Sequence, residues 1–180
     1  MTVSSIRRAT ALAITTALVL PSGGVLAQSD LVPASIGDRP AVVEIVGGLE
    51  LVASLDPEDE RFPDQVADLE RLLEATGADV GDVTVATAFT EGVIGGPYVA
   101  ALRVADADRA ALASAVISAL WEGLVQPRLE AAELEGKPVI LLHDDVVTDD
   151  APYVMYSRDD TVWLLGGPAD ELGALMAQLP

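Results

Sequence analysis

The stretch LLHDDVVTDDAPY, residues 141 to 153, concentrates the side chains best suited to chemistry. It holds His143, the one histidine of the chain, with Asp144, Asp145, Asp149 and Asp150 around it. An imidazole among carboxylates can hold a metal ion or take a proton as a general base. A zinc site draws on several histidine or cysteine ligands, and the chain offers one histidine and no cysteine. A serine hydrolase presents its serine on a strained turn such as G-x-S-x-G. That pattern is absent, and Ser54, Ser114, Ser118 and Ser157 have no flanking glycines. His143 therefore reads as a solvated residue at the end of a strand, in preference to a catalytic base.

Calcium is less demanding, because oxygen ligands suffice and extracellular modules hold it weakly. A helix–loop–helix calcium site alternates its acids, with glycine sixth and glutamate twelfth. Residues 106 to 117, DADRAALASAVI, begin with that alternation and then lose it. The other acidic groups, at Asp56, Glu58, Asp59 and Glu60 and at Asp159 and Asp160, match no loop of this kind. The expectation is solvated acidic turns that also discourage edge-to-edge sheet association. Weak divalent-cation binding by Asp144, Asp145, Asp149 and Asp150 is the alternative.

A paired-carboxylate hydrolase is the third reading. With 29 acidic residues some pair must fall close together, so proximity alone carries no information. Sugar-binding sites use aromatic platforms, and this chain has two Trp, three Tyr and two Phe. Trp121 and Trp163 both sit in apolar patterns and read as core. The glycine pairs at 47–48, 95–96 and 166–167 fit neither phosphate-binding spacing and read as turns. No cofactor is implied.

The elements that position these residues follow from periodicity. Residues 41 to 55, AVVEIVGGLELVASL, read as a short hairpin or a strand broken at Gly47-Gly48. A helix is expected from Pro63-Asp64 to Gly77, with Val66, Leu69, Leu72, Leu73 and Thr76 on one side. Residues 82 to 90 and 97 to 105 alternate as strands. A second helix runs from Asp108 to Val125, with Leu112, Val116, Leu120 and Leu124 as its stripe and Asp106 or Asp108 as cap. Residues 131 to 144 form a strand interrupted at Gly136, and 153 to 167 a hairpin turning at Arg158-Asp159-Asp160. Pro168 opens a last helix with Leu172, Leu175 and Leu179 inward. Adjacent strands joined by short loops make an antiparallel sheet. Helices apolar on one side cover it, giving an α+β two-layer sandwich with about three helices on one face.

The N-terminus reads differently. Arg7 and Arg8 precede an uncharged run from Ala9 to Leu20, then small residues at Val25-Leu26-Ala27, which is the layout of a signal peptide. The run is about 12 residues, short of the roughly 20 that span a bilayer. Residues 1–27 are therefore expected to direct export by the general secretory route. Residues 28–40 would form a flexible leader, and 41–180 one α+β domain. Losing residues 1–27 removes two of the 10 basic residues and none of the 29 acidic ones. Such a surface repels phosphate backbones and anionic lipids, which argues against nucleic-acid and membrane partners. Without cysteine there is no disulfide and no lipid-modified anchor.

The segments EIVGGLELVASL, LLEATGADVGDVTVATAF, ALRVADADRAAL and LEGKPVILL resemble a group of small exported bacterial proteins of unknown function. That resemblance spans roughly residues 43 to 180. It implies an α+β fold and supplies no catalytic residue. The expected function is thus an exported, non-enzymatic binding or accessory module, with an unidentified protein or small ligand as its partner.

Overall fold

Two-residue alternation between apolar faces builds the centre of the molecule. The computed structural model describes residues 30–54, 65–90, 96–123, 127–144 and 152–180. Strands β1 (Ser35–Ile36) and β2 (Arg39–Pro40) pair as a small separate hairpin. Among the described residues seven further strands form one antiparallel sheet. They are β3 (Val42–Gly47), β4 (Val83–Phe89), β5 (Tyr98–Val104), β6 (Pro127–Leu134), β7 (Lys137–Asp144), β8 (Tyr153–Arg158) and β9 (Thr161–Gly166). Their spatial order is β3-β4-β5-β9-β8-β7-β6, so two meanders meet at the β5–β9 pair. There Val99 lies opposite Leu165, and Ala101 opposite Trp163.

Both faces of the sheet are buried. Val83, Val85, Leu102, Val104, Val162 and Leu164 point to one side, and Ala86, Ala88, Val99, Ala101, Trp163 and Leu165 to the other. Three helices cover the first side: α1 (Gly48–Ser54), α2 (Gln65–Thr76) and α3 (Arg109–Gly123). The α3 stripe of Leu112, Val116 and Leu120 is buried as its spacing requires. Each such side chain is worth about 1.5–3 kcal/mol relative to exposure. The Asp108 carboxylate accepts the amide protons of Ala110 and Ala111 at 3.0 and 2.9 Å, capping the first turn. No helix among the described residues is long and apolar enough to cross a membrane.

The α+β class, the antiparallel sheet and three helices on one face are those expected from the sequence, but the membership differs. Helix α4 (Ala169–Gln178) packs Leu172, Leu175 and Met176 on the opposite side. Its place is taken by α1, in the segment expected to be a hairpin or broken strand. Strand β3 stops at Gly47 and α1 begins at Gly48. A β-carbon at Gly48 would run into the carbonyl of Val80, so only glycine lets the helix start this close to the turn before β4.

The described part of the expected leader is packed. Leu31, Val32 and Ile36 are buried in the core on the α4 side. The Trp163 indole N–H donates to the Leu31 carbonyl at 2.6 Å. Leu31 and Val32 precede Pro33 and Ile36 lies between Pro33 and Pro40, so the three show no period, yet burial needs only that each reach the sheet. The C-terminus is tied to the same face. Lys137 Nζ donates to the carbonyls of Met176, at 3.0 Å, and Leu179, where helix α4 ends. The Tyr156 hydroxyl donates to the Pro180 carbonyl at 3.0 Å, and its ring stacks on Trp163 at 5.4 Å.

Trp163 is core, as expected; Trp121 is not, with 44% of its surface exposed. It follows Leu120 by one residue and so lies about 100° around the helix from the buried stripe.

Candidate functional site

The β6–β7 hairpin positions His143. Its two-residue turn, Glu135-Gly136, has φ of 52° and 73°, which suits a tight antiparallel connection. That turn fixes Leu134 opposite Lys137 and, at the far end, Arg128 opposite His143. Strand alternation then puts Arg128, Glu130 and His143 on one face. Glu130 Oε2 accepts a hydrogen bond from Arg128 Nη1 at 2.9 Å and lies 3.4 Å from His143 Nε2. The histidine nitrogen is buried and, although close to the carboxylate, makes no aligned hydrogen bond. The contact is a charge contact that exists only when the imidazole is protonated.

Glu130 already neutralises a permanent guanidinium, so it is a weak orienting group for a catalytic base. Glu130 and His143 make two potential metal ligands. Among the described residues no three His, Asp or Glu side chains converge as a metal site would require. Of the four aspartates picked from the sequence, Asp144 ends β7, whereas Asp145, Asp149 and Asp150 lie outside the described residues. Glu130 escaped notice in the sequence because the strand was expected to start at residue 131. Counting outward from the Glu135-Gly136 turn would have placed Arg128 across from His143.

A groove of about 380 Å³ runs between α2 and α3. Its walls are Asp68, Arg71 and Ala75 on one helix and Ala111, Ser114 and Ser118 on the other. Arg71 and Asp68 pair along it. The groove follows from small side chains at the helix contact, and it has no apolar anchor to hold a ligand.

The two edges of the sheet differ more tellingly. Edge strand β6 carries Pro127, Arg128, Glu130 and Glu133, the residues that deter strand addition. Edge strand β3 reads VVEIVG and carries one charge. It pairs with β4 on one side only, and among the described residues no backbone group bonds to its outer side. Ile45 on the α4 side is exposed. On the helical side Glu44 lies across from the buried Thr87, and its Oε2 is buried with no hydrogen bond. Loss of water raises its carboxyl above the ordinary value of 4.5, and among the described residues no cation offsets the effect. An extended backbone with free N–H and C=O groups, alternating side chains and an unmatched carboxylate can accept another strand.

Compared with known protein families, curated proteins and solved structures, the chain gives no match.

Proposed function

We propose that the chain is an exported, non-enzymatic binding module that takes up an extended segment of another polypeptide along β3. The observation that carries this reading is the β3 edge, unpaired on its outer side among the described residues, and apolar and almost uncharged where β6 is charged and proline-bearing. Main-chain hydrogen bonds would supply the affinity, and alternate side chains the selectivity. The signal-like layout of residues 1–27 supports action outside the cytoplasm. The excess of 29 acidic over 10 basic residues favours basic polypeptide partners over nucleic acid or anionic lipid.

Panning displayed random heptapeptides against the chain tests it. The reading predicts enriched peptides rich in β-branched residues whose binding vanishes when their backbone is N-methylated at alternate positions. Enriched peptides that tolerate N-methylation would bind elsewhere and would overturn the reading, as would the absence of enrichment.

A further inference from the structure

The Glu44 carboxylate supplies a selectivity rule for the β3 edge. We infer that β3 selects a strand carrying lysine or arginine directly opposite Glu44, with β-branched residues two positions to either side on the same face. This inference rests on the reading of β3 as a docking edge.

Three observations combine. Glu44 sits in the middle of Val42–Gly47, flanked on its own face by Val42 and Val46. Its Oε2 is out of contact with solvent and makes no hydrogen bond, and among the described residues no cation pairs with it. On the free side of β3, directly opposite side chains of an added strand would stand about 5 Å away. A lysine or arginine there completes the carboxylate, a glutamate opposes it, and valines beside it extend the apolar rows begun by Val42 and Val46. The chain's net charge of −19 adds attraction of the same sign at longer range.

A second copy of the chain fits this edge less well. Pairing β3 with β3 in antiparallel fashion, in the register centred on Glu44, sets the two Glu44 carboxylates directly opposite each other. Two bodies that each carry −19 also repel. A basic segment removes both penalties.

The test compares two blocked heptapeptides, Thr-Val-Thr-Lys-Thr-Val-Thr and its version with glutamate at the centre. They are titrated calorimetrically against the full chain and against Glu44→Gln and Glu130→Gln. Working in about 0.15 M salt, where the Debye length is about 8 Å, suppresses the long-range part of the attraction. The lysine peptide should bind about ten-fold tighter than the glutamate peptide, the ratio expected for exchanging a favourable for an unfavourable cross-strand pair. Glu44→Gln should abolish that ratio, and Glu130→Gln, on the other edge, should keep it.

Two peptides of equal affinity, both still sensitive to backbone N-methylation, would overturn the charge rule and leave β3 as a docking edge. If neither peptide binds, or if both ignore N-methylation, the docking edge fails together with the rule. Sedimentation of the chain alone as a dimer disrupted by Ile45→Lys would assign the edge to a second copy, and would overturn the inference in a third, distinct way.

Discussion

Replacing Ile36 by alanine distinguishes an N-terminal segment that belongs to the core from one that merely precedes it. Ile36 is 4% exposed in the small β1–β2 hairpin and packs with Leu31 and Val32 on the α4 side of the sheet. The substitution removes three carbon atoms. At about 0.8 kcal/mol per buried methylene the transfer loss is roughly 2.4 kcal/mol. A cavity that cannot close adds about 24 cal/mol per Å³, so the expected total is about 2–4 kcal/mol. For a domain of this size that corresponds to a drop of roughly 5–15 °C in Tm. Urea unfolding followed by tryptophan emission is a suitable assay, because Trp163 is buried beneath this segment and bonds to Leu31. The m-value should be unchanged, since the unfolded state exposes nearly the same surface. A loss below about 0.5 kcal/mol, the range of ordinary surface substitutions, would refute the packed segment and restore a loose leader.

Adjacent glycines should respond in opposite ways. Gly48→Ala drives a β-carbon into the Val80 carbonyl and should cost about 2–3 kcal/mol; Gly47→Ala meets no atom within 4 Å and should stay within about 0.5 kcal/mol. Equal effects in parallel thermal melts would contradict the placement of α1. Glu44→Gln should stabilise the fold at neutral pH. Burial raises the folded-state pKa of Glu44 above 4.5, so its ionisation costs stability as pH rises from that value through the folded one. Below pH 4.5 the carboxyl is neutral in both states and the variant should lose its advantage; an advantage that persists at pH 3 would contradict the cause. Melts with and without calcium should coincide at matched ionic strength if Asp144, Asp145, Asp149 and Asp150 hold no cation. A bound ion at ten times its dissociation constant would add about 1.4 kcal/mol, and a shift of that size lost in Asp149→Asn would establish the site instead.

Where the chain repeats a period, the sequence was informative. Strands β4 and β5 fall within one residue of their expected limits, and Leu112, Val116 and Leu120 are buried as their four-residue spacing requires. The hairpin turn at Asp159 and Asp160 also lies where its polar residues place it. Period is silent, however, about which face of a sheet a helix will cover, and so α4 was misplaced. It is equally silent about short apolar residues scattered among prolines. For the N-terminal segment a local signal did exist: Gly37-Asp38 is a two-residue hairpin turn between β1 and β2. Gly47-Gly48 misled because a glycine pair usually marks a turn, and the need for Gly48 comes from Val80, distant in sequence. His143 is at its strand end on the face shared with Val139 and Leu141, as alternation requires. Its neighbour Glu130 depends on hairpin register, which periodicity within β7 does not contain.

Amide hydrogen exchange, read residue by residue with and without the lysine-centred peptide, tests most directly whether β3 is the edge that binds. Addition of a strand closes outward-facing N–H groups in hydrogen bonds and leaves the rest of the sheet alone. Exchange should slow at alternate residues within Val42–Gly47 and stay unchanged across Pro127–Leu134. Unaltered exchange in β3, or slowing confined to β6, would contradict the account.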